Sequence, residues 1–70
     1  MNKLKQMREA RGLSQSQLAK KSGVNIRLIQ YYEQNYRDIN KGQAATVLKL
    51  ADALECDVRD IINLEQFGTH

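Results

Sequence analysis

The chain has 70 residues, 41% of them apolar and 27% charged, with a formal net charge of +3. At that length, one folding unit over 1–70 is predicted, with a folded core over about 2–64 and a tail at 65–70 prone to fraying. The balanced composition excludes wholesale disorder, and no apolar run approaches the roughly 20 residues of a membrane span or the 7 to 15 of a signal segment, which points to a cytoplasmic protein with no membrane contact.

Four glycines and no proline punctuate the chain, and the spacing of apolar residues between them predicts an all-α domain of five short helices. In the first, Leu4, Met7, Arg8 and Arg11 share an inner face, with Asn2 as the cap. Ser14 followed by Gln17 has the form of a capping box, so a second helix begins there with Leu18, Ala19 and Ser22 on one side. Gly23 closes it with the left-handed conformation that other residues adopt only at a cost of about 1 kcal/mol or more. Asn25 caps a third helix, with Ile29, Tyr32 and Glu33 on one face and Ile26, Arg27, Gln30, Tyr31 and Gln34 on another. Residues 35–42 have no period and read as a loop. Ala44, Val47, Leu48, Ala51 and Leu54 make the inner face of a fourth helix beginning at Asn40 or Gln43. Asp57 with Asp60 marks the start of a fifth, with Val58, Ile61 and Ile62 facing inward.

Charge is unevenly distributed. Through Lys41 there are nine basic residues against three acidic, a balance of +6, and from Gly42 onward two basic against five acidic, a balance of −3. One basic face approaching a polyanion accounts for this asymmetry, as does an uneven solvated surface. The stretch Gln15–Gln34 is more specific. Two helices meeting at about 90 to 120° through a short turn need a small residue at their approach and a glycine in the turn. Ala19 and Gly23 meet those needs, while Leu18, Val24, Ile29 and Tyr32 close the angle, the spacing of a helix-turn-helix formed by helices two and three. A purely structural helical corner has the same spacing.

From Leu4 and Arg8 through Gly12-Leu13-Ser14-Gln15, Leu18-Ala19, Gly23-Val24, Ile29 and Glu33 to Leu50-Ala51-Asp52-Ala53-Leu54 and Val58–Ile62, the chain resembles the phage Cro and repressor type of helix-turn-helix regulators, often called XRE-like. The resemblance implies a five-helix domain whose third helix enters the DNA major groove. It also implies a structural ion pair between Arg8 and Glu33, and at Gln15 a phosphate contact with a bracing bond to the recognition helix. Two departures stand out. Residues 34–42 form a loop about three residues longer than the family pattern, and Glu55 occupies a position where relatives often carry glycine.

Helix-turn-helix geometry places the start of the recognition helix at base edges, making Ile26, Arg27, Gln30, Tyr31 and Gln34 the candidate base contacts. Arg27 suits guanine, Gln30 adenine, and Ile26 a thymine methyl. Gln15, Asn25, Lys20, Lys21, Tyr36, Arg37 and Lys41 are the candidate backbone contacts, which position the protein without reading sequence. Asn25 has two roles open to it, a helix cap and a phosphate contact. Double-stranded DNA is therefore the expected partner, bound as a homodimer on an inverted repeat, with Ile62, Leu64 and Phe67 either at the two-fold axis or on their own core. The leading expectation is a transcriptional regulator that represses; the alternative is an antitoxin or other protein-interaction module of the same fold. Catalysis has no support, since Cys56 has no histidine partner and Ser14 and Ser16 have no base beside them. Cys56 and His70 make at most two of a zinc site's four ligands, so no metal or cofactor is expected, and Cys56 reads as a core residue.

Overall fold

A computed structural model describes residues 2–62. Its elements in chain order are helix α1 (Lys3–Ala10), α2 (Gln15–Ser22), α3 (Ile26–Glu33), a single 3-10 turn at Ile39–Lys41, α4 (Ala44–Ala53) and a second 3-10 turn at Val58–Asp60. There is no strand among the described residues.

Short polar side chains start these elements by taking up backbone N–H groups that lack a partner in the first turn. Asn2 Oδ1 accepts from the Lys5 N–H at 2.9 Å, and Asn25 Oδ1 from the Arg27 N–H at 2.8 Å. Ser14 and Gln17 form the reciprocal box, at 3.0 Å from the Gln17 N–H to Ser14 Oγ and 2.8 Å from the Ser14 N–H to Gln17 Oε1. At α4 the capping residue is Gln43, whose side chain makes no capping bond.

Three helices end in the same way. After α1, α3 and α4, a residue of positive φ (Gly12 at 71°, Asn35 at 63°, Glu55 at 55°) turns the chain back. The next N–H then reaches the carbonyl five residues earlier: Leu13 to Arg8 at 3.1 Å, Tyr36 to Tyr31 at 2.9 Å, Cys56 to Ala51 at 3.0 Å. These are Schellman motifs, which satisfy carbonyls the helix leaves open. Glycine fits that conformation without cost; Glu55 does not, because its Cβ crowds the backbone. Gly23, at φ 74°, closes α2 through a bond from its N–H to Ala19 C=O.

The core is built around Leu4, Leu18, Ile29, Leu50, Leu54 and Ile61, each almost fully buried. Helix α2 packs on both α3 and α4, and α1 on α3. Arg11 projects from the end of α1 to donate from Nε to Leu54 C=O at 2.7 Å, a cation at the negative end of α4.

The structure departs from the sequence expectation in helix number and in the buried stripe of α4. Four α-helices, not five, are present among the described residues. The Asp57–Asp60 box does form, with the Asp57 N–H donating to Asp60 Oδ2 at 3.1 Å, but it caps only one 3-10 turn. Ile61, 1% exposed, is seated in the core with φ −120°, so its backbone leaves helical space. The buried stripe of α4 is also displaced: Val47, Leu50, Ala51 and Leu54 face inward, while Ala44 is exposed and Leu48 is 52% exposed. Both stripes have helical spacing, and packing against α2 selects between them. Leu64, Phe67 and the proposed tail at 65–70 lie outside the described residues.

Replacing Glu55 with glycine is expected to raise the thermal midpoint by about 4 °C, since relief of the left-handed strain outweighs the exposed Lys21–Glu55 pair at 3.5 Å. Gly42→Ala is expected to act oppositely, costing about 1 to 3 kcal/mol in urea unfolding. Its backbone is ordinary, but an added Cβ would lie 2.5 Å from the Tyr32 hydroxyl oxygen.

Candidate nucleic-acid interface

Helix α3 is divided lengthwise. Ile29, Tyr32 and Glu33 are buried, whereas Arg27, Tyr31 and Gln34 are exposed and Ile26 and Gln30 are half-buried. The apolar period of Ile-Arg-Leu-Ile-Gln-Tyr-Tyr-Glu produces this division, because 3.6 residues per turn put Ile29, Tyr32 and Glu33 on one side. Leu18, Val24, Ile29 and Tyr32 are all buried where α2 and α3 meet, with Ala19 packed against them and Gly23 in the turn.

A buried polar assembly fixes the orientation of α3. Arg8 Nε donates to Glu33 Oε2 at 2.7 Å and Nη2 donates to Oε1 at 3.0 Å, a bidentate pair whose side chains are 11% and 3% exposed. Arg8 Nη1 also donates to Leu13 C=O at 2.7 Å. The hydrogen bonds to Glu33 raise the Arg8 guanidinium above its ordinary range, outweighing the opposing effect of burial. Gln15 Nε2 donates to Glu33 Oε1 at 3.0 Å, and Gln30 Nε2 approaches Gln15 Oε1 at 3.5 Å. The carboxylate can only accept, so it orders the Gln15 amide, and Gln15 in turn faces Gln30.

Of the remaining candidates, Lys20 and Lys41 are exposed, and Lys21 extends toward Glu55. The 35–42 loop brings together residues that the sequence left separate. Tyr36 and Tyr31 meet edge to face, with ring centroids 6.1 Å apart at 80°, and Arg37 Cζ lies 5.9 Å from the Tyr31 ring centroid. Sequence reasoning missed Asn2 as a tie between α1 and the end of α3: its Nδ2 donates to Tyr32 C=O at 2.8 Å and to Asn35 Oδ1 at 3.1 Å. Asn2 reads locally as a cap, and a bond across 30 residues leaves no periodic mark. Cys56 is half-buried, and burial pushes its thiol pKa up, away from the reactive thiolate. No helix among the described residues is long and apolar enough to cross a membrane.

A protein-family model described as Helix-turn-helix matches residues 4–61. No curated protein and no solved structure matches the chain.

Removal of either partner of the buried pair, in Arg8→Ala or Glu33→Ala, is expected to cost about 3 to 5 kcal/mol, because the other charge stays buried and alone. The double replacement Arg8→Met with Glu33→Leu is expected to recover much of that loss. Urea midpoints of the four proteins check both statements.

Proposed function

The chain belongs to the XRE-like helix-turn-helix family of DNA-binding regulators, and from that premise we propose that it is a repressor that binds an inverted-repeat operator as a homodimer, with α3 in the major groove. The observation that carries this reading is the exposed Arg27 on the first turn of α3, opposite a face buried as deeply as Ile29. A helix anchored on one side presents the other at fixed depth, and helix-turn-helix docking aims its N-terminal residues at base edges.

Within that reading Arg27 bonds guanine O6 and N7, Gln30 pairs with adenine, and Ile26 packs on a thymine methyl. Tyr31 and Gln34 extend the base-reading surface toward the end of α3. Lys20, Lys21 and Lys41 neutralise phosphates, and Gln15 and Asn25, at the starts of α2 and α3, hydrogen-bond to the DNA backbone. Two-fold symmetry doubles this small footprint, placing half-sites about 34 to 36 Å apart.

A second reading, a protein-interaction module such as an antitoxin, is favoured by one observation. Ile39, Val47, Val58, Ile62 and the exposed Leu48 line an open apolar groove of about 300 Å³.

Selection from random duplex DNA at roughly physiological salt is expected to enrich an inverted repeat, and Arg27→Ala is expected to lose about 1 to 3 kcal/mol of discrimination at one base pair while keeping the fold. Lys41→Ala is expected to weaken all sequences alike and to reduce the slope of log affinity against log salt by about 0.9. A folded protein that enriches no sequence would move the interaction-module reading to first place.

A further inference from the structure

The contacts around Tyr31 draw two loop residues onto the end of α3. Charge and loop location place Tyr36 and Arg37 among phosphate contacts, yet in the structure both close onto Tyr31. The Tyr36 and Arg37 N–H groups share the Tyr31 carbonyl, at 2.9 and 3.3 Å. The Tyr36 ring stands edge to face with the Tyr31 ring, and the Arg37 guanidinium lies over it. Asn35 supplies the left-handed turn that makes this return possible and is tied to α1 by Asn2. Arg37 makes no ion pair with a carboxylate among the described residues.

The core does not hold these rings, since Tyr31 is 38% exposed and Tyr36 is 75% exposed. An unconstrained tyrosine at the end of a recognition helix changes rotamer and accommodates several bases. With a guanidinium over its ring and a second ring against it, its orientation is restricted, and a restricted side chain discriminates more sharply. Tyr36 also makes the apolar contact expected between the two ends of a Schellman motif. Helix termination alone explains that contact but not the guanidinium over the ring.

We propose that Tyr36 and Arg37 are positioning residues for Tyr31, and that this loop clamp sets the base preference at the end of the half-site read by the C-terminal part of α3. The proposal rests on the DNA-binding reading above. Arg37 acts mainly through the Tyr31 ring rather than through a phosphate, so its planar guanidinium matters as well as its charge.

The test is a base-by-base preference profile with salt titration for the full chain and its variants, beside their thermal midpoints. The base pair read by Tyr31 is the one whose preference Tyr31→Ala removes. At that pair, Arg37→Ala and Tyr36→Ala are each expected to lower preference roughly three-fold, and neither is expected to lower it further when combined with Tyr31→Ala. Tyr36→Phe, which keeps the ring, is expected to retain the preference. Arg37→Lys is expected to keep the salt slope but lose part of the preference. The proposal is overturned if Arg37→Ala weakens all sequences equally and reduces the salt slope by about 0.9, or if Tyr36→Ala lowers only the thermal midpoint. It also fails if Tyr31→Ala removes no base preference. A wild-type chain with no sequence preference, or an Arg27→Ala variant with an unchanged profile, would instead overturn the DNA reading beneath it.

Discussion

The bidentate Arg8–Glu33 pair is the constraint on which the rest of the structure depends. It joins α1 to α3, and through the third donor of Arg8 it also holds Leu13 C=O in the turn leading to α2. Its net contribution to stability is small, because two charges lose their water, but its directional demands are strict. A guanidinium fork admits few approach angles to a carboxylate, so the rotation of α3 about its axis is set by a buried charge as well as by apolar packing. That rotation decides which side chains of α3 face outward.

The same carboxylate acts beyond the pair. By accepting from Gln15, Glu33 orders an amide at the start of α2, and Gln15 faces Gln30 on the outer side of α3. A continuous polar path therefore runs from the core to the candidate reading surface. Such networks restrict the arrangements a helix pair can adopt, because each donor and acceptor left unmatched in a buried setting is costly. A helix that presents one face at constant depth must be fixed in rotation and tilt, and here a polar lock fixes α3 within 61 described residues, 2–62.

Helix ends carry much of the remaining structure. With helices of only eight to ten residues, end effects weigh heavily, since each helix has few interior hydrogen bonds compared with its open termini. Local side chains meet this need at most starts, and repeated left-handed turns meet it at the ends. The turn at Asn35 has a further consequence: by sending the chain back over α3, it brings the 35–42 loop against that helix. Loop residues thus join the outer side of α3 in the candidate interface.

Much of this was legible in the residues themselves. The caps at Asn2, Ser14, Asn25 and Asp57 are local chemistry, as is the left-handed turn at Gly23, and a sequence displays local chemistry directly. The inward period of α3 determined its buried face for the same reason. Tertiary structure decided what depended on distant partners. Two stripes on α4 had equal helical spacing, and only packing showed that Leu50 faces inward and Leu48 outward. Asp57 and Asp60 announced a helix, but seating Ile61 in the core ended it after one turn. Asn2 reached Tyr32 because α1 packed beside α3, whereas Tyr36 and Arg37 closed on Tyr31 through the left-handed turn at Asn35, a local turn that no glycine announced. Periodicity and capping act over one or two turns of chain, whereas the inward stripe of α4, the seat of Ile61 and the Asn2–Tyr32 bond exist only once the helices have packed.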